Sequence, residues 1–163
     1  MIFRPLLIAS LFMSVFISVA PVKANVDQAK VDVQKVSPHR VYKDIRNKKG
    51  NNIAVLLYAS WCPICVKKMP YIIDIERSNP GSVIAVSLDE NRQDFKRYIK
   101  RFDNLPFNAL IIDGPEWKLV NKLKGVGIKP WDSIPQVILI NADGKVVEQG
   151  NLSSERIAEF VSQ

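Results

Sequence analysis

Ile53-Ala54-Val55-Leu56-Leu57-Tyr58-Ala59-Ser60-Trp61-Cys62-Pro63-Ile64-Cys65 decides how this 163-residue chain is read. Ile53 to Tyr58 is an unbroken apolar run between turn residues, the pattern of a strand buried on both faces of a sheet. From Cys62 the pattern turns helical: Met69, Ile72, Ile73 and Ile75 form an apolar side, and Lys67, Lys68, Asp74 and Glu76 a wetter one. Pro70 lies inside this helix and is expected to kink it. The chain's only two cysteines therefore stand three apart, where a buried strand hands over to a helix.

That placement has chemical content. At the first turn of a helix the free backbone N–H groups and the positive end of the dipole favour thiolate over thiol, which makes Cys62 the expected nucleophile. Cys65, one turn on and more shielded, is the expected resolving thiol. Pro63 has no N–H to offer the sulfur, and Ile64 sets an apolar side chain beside it; the two residues tune the pair's reduction potential. A plain structural disulfide or buried thiol pair would not need this position. A Cys-x-x-C pair is also half of many zinc sites, but four ligands are usual and only His39 could join as a strong nitrogen ligand. A copper- or zinc-binding module using Cys62, Cys65 and His39 stays open as an alternative. For the dithiol reading itself no metal and no cofactor are expected.

Outward from this core the elements alternate. Val31, Val33 and Val36 suggest a short first strand, and Ser37-Pro38 opens a helix with Val41, Tyr42 and Ile45 on one face. After the breaker Ser78-Asn79-Pro80-Gly81, Val83 to Leu88 reads as a second buried strand. Asp89 to Arg101 reads as a helix, Phe107 to Ile112 as a strand and Pro115 to Leu123 as a helix. Val137 to Ile140 and Lys145 to Glu148 flank an Asp143-Gly144 hairpin turn. A last helix starts near Ser153 and buries Ile157, Phe160 and Val161. The order β-α-β-α-β-α-β-α-β-β-α implies an α/β fold, a mixed sheet with a mostly parallel centre flanked by helices.

At the N-terminus, Arg4 precedes an apolar stretch from Pro5 to Ala20, followed by Val22-Lys23-Ala24 with small or apolar residues two apart. This is the pattern of a secretory signal over residues 1–24, cleaved after Ala24, ahead of one domain over 25–163. The stretch is short of the roughly 20 apolar residues of a spanning helix; an uncleaved N-terminal membrane anchor is the alternative. Export, to the periplasm or beyond, would put the dithiol in an oxidising compartment. The formal charge of +7 is scattered along the chain among Asp and Glu. It reads as a solvated basic surface, and without a reader motif no nucleic-acid partner is expected.

Ala59-Ser60-Trp61-Cys62-Pro63-Ile64-Cys65 with Pro70 resembles the active-site stretch of the thioredoxin-like superfamily, and most of all its exported TlpA-like thiol-disulfide oxidoreductases. Ile134-Pro135 before a strand is similar to the family's cis-proline, and Asp143-Gly144 with Gly150 to its closing hairpin. Asp89 to Lys124 resembles the central insertion of TlpA-like proteins. The resemblance spans about Val36 to Gln163. It implies that Pro135 is cis, that the Ile134 backbone pairs with an extended substrate segment, and that Trp61, Pro63, Ile64, Ile134 and Pro135 contact substrate. It further implies protein disulfides as substrates and a membrane thiol-electron donor that keeps the pair reduced. A disulfide-forming oxidant or isomerase remains an alternative direction of the same chemistry, whereas a peroxidase of this fold would place its cysteine in a different setting from Trp61-Cys62.

Departures from the family are informative. Thioredoxins carry a buried Asp where this chain has Leu56 and its partner Lys where it has Ala85, and some TlpA-like reductases carry a Glu at the position of Lys68. The usual proton acceptor for the resolving cysteine is therefore missing from these places, and water or Asp132 is expected to serve instead. Lys67 and Lys68 read as solvated charges, or as groups favouring an acidic partner or the Cys62 thiolate. Trp131 reads as local packing or as an apolar substrate contact.

Overall fold

The computed structural model describes residues 32–163. The expected secretory signal and its cleavage site lie outside these residues, and among the described residues no helix is long and apolar enough to cross a membrane. The elements run β1 (Val33–Val36), α1 (Pro38–Asn47), β2 (Ile53–Tyr58), α2 (Pro63–Ser78), β3 (Val83–Ser87), α3 (Arg92–Ile99), β4 (Ala109–Ile112), α4 (Glu116–Leu123), β5 (Gln136–Ile140), β6 (Val146–Gly150) and α5 (Ser154–Val161). Their order is the one the sequence pattern predicts.

One six-stranded sheet is ordered β1-β4-β3-β2-β5-β6. β1, β4, β3 and β2 are mutually parallel; β5 runs antiparallel to β2 and β6 antiparallel to β5. The segment read as an insertion builds α3, β4 and α4, and its strand enters the sheet between β3 and β1. All six residues of β2 are buried, as a central strand covered on both faces requires.

Alternation along the strands divides the core in two. Leu56, Tyr58, Ala85, Ile111 and Leu139 face a layer holding Met69, Ile72 and Ile73 of α2, Phe95 of α3 and Phe160 of α5. Val55, Leu57, Val86 and Ile138 face Val41 and Ile45 of α1 and Leu119 and Leu123 of α4. Helices thus cover both faces, and α2, which starts at the cysteines, shares its face with α3 and α5.

Local chemistry sets the helix ends. The side chains of Ser37, Asn91 and Ser153 each accept a backbone N–H at the start of α1, α3 and α5, satisfying donors that a helix otherwise leaves free. α2 continues through Pro70, where the ring leaves the Val66 carbonyl without its helical donor. At the hairpin, Asn141 Oδ1 accepts the Lys145 N–H at 2.9 Å, and Gly144 has φ 80°, a conformation that favours glycine.

Two readings are corrected. The third helix begins after an Asn91 cap rather than at Asp89, because the Asn91 side chain takes the N–H groups of Gln93 and Asp94, and Asp89 is buried elsewhere. Glu76, assigned to the wet side of α2, is 5% exposed. Its carboxylate accepts the N–H of Gly81 at 2.6 Å and of Val83 at 2.8 Å, tying the end of α2 to the start of β3. Hydrogen bonds to a charged group contribute about 1.5–3 kcal/mol each, so Glu76→Ala is expected to lower unfolding free energy by roughly 3 kcal/mol, measured by urea denaturation, while Glu76→Gln loses less.

Candidate active site

The register of β2 brings three distant segments together. Tyr58, the last residue of β2, lies opposite Ser87 at the end of parallel β3. Leu57 lies opposite Gln136 at the start of antiparallel β5. The loop from Ala59 to Cys62 is therefore met by Asp89, two residues past β3, and by Ile134, two residues before β5.

Cys62 is the N-cap of α2, with φ −86° and ψ 113°. Its Sγ accepts the Cys65 N–H at 3.3 Å, and its thiol donates to the Ile134 carbonyl at 3.7 Å. The Ile134–Pro135 bond is cis. Both cysteines are free thiols, Cys62 6% exposed and Cys65 1%. Burial and, next, the hydrogen bond with Cys62 push the Cys65 thiol up to about 12, outweighing the backbone N–H groups of Ala59 and Cys65 that favour its thiolate. The roles expected for the pair thus have distinct surroundings: Cys62 lies at the helix end beside the Ile134 carbonyl, and Cys65 lies beneath it in the core. Trp61 and Ile64 are large apolar side chains left exposed on either side of Cys62, and Pro63 is exposed between the cysteines while Pro135 is buried.

Asp89 is the site residue that the sequence reading missed. It is 3% exposed, and its carboxylate accepts the Ser60 N–H at 2.9 Å, the Ser60 hydroxyl at 2.5 Å and the Ser87 hydroxyl. It anchors the loop two residues before Cys62 to the end of β3. The available signal was a carboxylate directly after the apolar run read as a strand over Val83 to Leu88, which the helical reading of 89–101 absorbed. The hydroxyls of Tyr58 and Tyr98 are buried nearby without a hydrogen-bond partner. Burial foremost raises both phenols above their ordinary value; Asp89 and Cys65 add to the effect for each.

Leu56 and Ala85 are buried on the face of the sheet that also carries Cys65, so apolar packing occupies the places of the family's acid and lysine. Lys68 is not freely solvated: it is half-buried, its Nζ donates to the Leu152 carbonyl, and burial lowers its pKa, with Glu155 and then Cys65 opposing. Its electrostatic neighbour in the pair is thus Cys65 rather than Cys62. Lys67 is exposed, as read. Asp132 is exposed in a groove shared with Trp61 and Ile134 and makes no hydrogen bond to either cysteine. Trp131 combines its two readings, packing against the core on the α1 and α4 face while lining the same groove. His39 is exposed on α1, whose buried residues lie on the opposite face of the sheet from the cysteines. Among the described residues no three His, Cys, Asp or Glu side chains gather as a metal site.

A family model described as Redoxin matches residues 25–162. The thiol-disulfide oxidoreductase ResA of Bacillus thuringiensis subsp. konkukian is 27% identical over 148 residues, 83% of this chain and 80% of the relative. ResA of Bacillus anthracis is 27% identical over 150 residues, 84% and 81% of the two chains. Among solved structures, a thioredoxin-family thiol:disulfide interchange protein from Chlorobium tepidum aligns with TM-score 0.57 at 23% identity, covering 72% of this chain and 84% of the other. The exposed lipoprotein thioredoxin of Streptococcus pneumoniae aligns with TM-score 0.54 at 24% identity, covering 72% and 88%. These alignments establish a thioredoxin-like fold.

Two outcomes follow from the geometry. In a Cys62→Ser variant, iodoacetamide alkylation of Cys65 should rise about tenfold per pH unit through pH 8–10 without a plateau, since the thiolate is the reactive form and burial keeps its pKa above that window; a plateau below pH 9 would contradict the burial. Asp89→Ala should lower stability by roughly 2–3 kcal/mol in urea denaturation, because it strips the half-buried Ser60 N–H and the buried Ser87 hydroxyl of their acceptor.

Proposed function

The chain belongs to the Redoxin family, and from that premise we propose that it is an exported thiol-disulfide oxidoreductase that reduces or exchanges disulfides of exported proteins through Cys62 and Cys65. The observation that carries this reading is the placement of the pair. Cys62 caps the helix with its sulfur 3.7 Å from the Ile134 carbonyl, and Cys65 is buried one turn behind.

The Cys62 thiolate attacks one sulfur of a substrate disulfide. A Cys62–substrate bond forms, the substrate S–S bond breaks, and the leaving sulfur departs as a thiolate that takes a proton from solvent. Cys65 then loses its proton and attacks Cys62 Sγ, forming the intramolecular disulfide and releasing the second substrate thiol. Two electrons pass from the pair to the substrate. A membrane thiol-electron donor restores the dithiol in the next cycle. In the first step the backbone of Ile134 aligns an extended substrate segment, with Trp61, Pro63, Ile64 and Pro135 as its apolar surroundings.

Each residue contributes a separate physical effect. The Cys65 N–H aimed at Cys62 Sγ interacts more strongly once that sulfur is charged. Burial of Cys65 withholds the second nucleophile until a mixed disulfide has formed. With Leu56, Ala85 and Lys68 at the three family positions, the proton of Cys65 leaves through water or Asp132. The pattern at the N-terminus supports export; the relatives' named activity, thiol-disulfide oxidoreductase, supports dithiol chemistry over a binding role.

Cys62→Ser is expected to abolish reduction of insulin disulfides, and Cys65→Ala to accumulate mixed disulfides visible on non-reducing gels and cleared by dithiothreitol. Retained turnover in Cys62→Ser would remove the proposal. The reduction potential fixes the direction: a value near thioredoxin's, about −270 mV, is expected for a reductase, and one near about −120 mV would make the protein an oxidant. If Asp132 takes the proton, Asp132→Asn shifts the pH dependence of resolution; an unchanged profile leaves water as the acceptor.

A further inference from the structure

A groove of about 720 Å³ opens directly beside the dithiol. It starts at Trp61, the neighbour of Cys62, and at Ile134, whose carbonyl meets the Cys62 thiol. From there it runs between the loop before β5 and the N-terminal turns of α3 and α4. Two features of its lining are unusual for this chain.

All three tryptophans of the protein line it: Trp61, Trp117 and Trp131. Trp61 and Trp117 are 70% and 60% exposed, an arrangement that burial alone would not select. Trp131 is held by its Nε1, which donates to the Glu116 carboxylate.

The charge of the lining is of one sign. Glu90, Glu116 and Asp132 are exposed there, Asp94 adds a carboxylate already paired to Arg97, and Asp89 closes the floor. Among the described residues no Lys, Arg or His lines the groove, in a chain with 23 Lys and Arg and a net charge of +7. Basic groups do stand at the margin. The Lys118 ammonium lies 5.6 Å from the Trp117 ring centroid, showing that this ring face already accepts a cation from outside the groove.

We propose that this groove is the specificity surface of the dithiol, and that it receives an extended Lys- or Arg-bearing segment flanking the disulfide of the substrate. The proposal rests on the oxidoreductase reading above and names the substrate class of that site. Ammonium and guanidinium groups are the partners that exposed carboxylates and tryptophan faces share, through charge pairing and cation–π contact. The groove's start at Ile134 and Trp61 puts a bound segment in line with the Cys62 sulfur. The overall basic surface steers acidic proteins toward the molecule and basic ones away, so the acidic groove acts against the molecule's long-range field. A preference for basic substrates therefore has to come from the groove.

The test uses the pre-reduced protein and stopped-flow oxidation by three disulfides: a cystine-bridged peptide with flanking lysines, the same peptide with glutamates in their place, and neutral hydroxyethyl disulfide. Three exposed charge pairs at their usual strength predict about a tenfold faster second-order rate for the lysine peptide than for the glutamate peptide at low salt, shrinking as salt is added. The ratio should fall severalfold in Glu90→Gln/Glu116→Gln, which keeps an acceptor for Trp131, and also in Trp117→Ala. Equal rates for the two peptides, or a faster glutamate peptide, overturn the proposal and leave the oxidoreductase reading standing. A ratio unchanged in both variants overturns the assignment to this groove. Failure of all three disulfides to oxidise the protein defeats the oxidoreductase reading, and the substrate class with it.

Discussion

The structure depends on β2 being paired on both edges with strands of opposite sense. A parallel neighbour brings strand ends of like direction together, so the chain leaving β3 emerges beside the chain leaving β2. An antiparallel neighbour brings the start of β5 to the end of β2. The Cys62 loop, the Asp89 carboxylate and the Ile134–Pro135 turn converge because of this one register, although Cys62 and Ile134 lie 72 positions apart in sequence. No contact made by the loop alone could hold them in that relation.

From this convergence the two thiols acquire unequal surroundings. Cys62 sits where the helix begins, with a backbone N–H pointed at its sulfur and a carbonyl across from it. Cys65 lies one helical turn deeper, in a layer of Leu56, Tyr58, Ala85, Met69 and Ile72 that leaves it almost no contact with water. The same apolar layer raises its pKa. Packing and reactivity are therefore set together: the apolar layer that holds Leu56 in the core also buries Cys65. The buried carboxylate of Asp89, on the other side of the loop, is committed to holding Ser60 and is an anchor of the loop.

Much of the fold was legible because its signals are local and strong. Continuous apolar runs at Ile53–Tyr58 and Val83–Ser87, the Ser37-Pro38 and Ser153 helix starts, and the Asp143-Gly144 turn each impose their structure within a few residues. The misread places are those where a partner outside the residue's own element overrides local pattern. Asp89 reads as the start of a helix until Ser60 and Ser87 claim its side chain. Glu76 reads as solvent-facing until the Gly81 and Val83 N–H groups turn it inward. Lys68 reads as a free charge until the Leu152 carbonyl takes its ammonium. A polar residue's burial is decided by donors and acceptors that hydrophobic periodicity does not encode.

The dithiol with which the chain announces itself was determined by sequence alone: two cysteines three apart, between a strand too apolar to be anything but central and a helix whose first turn must offer free N–H groups. That is a covalent and local fact, independent of what packs around it. What stands opposite the Cys62 sulfur, how deeply Cys65 is buried, and the gathering of three tryptophans and a set of carboxylates along one groove were decided by tertiary structure. These depend on strand register and on loops that meet only when the sheet is complete, and through-space relations of that kind have no period in the sequence by which to read them.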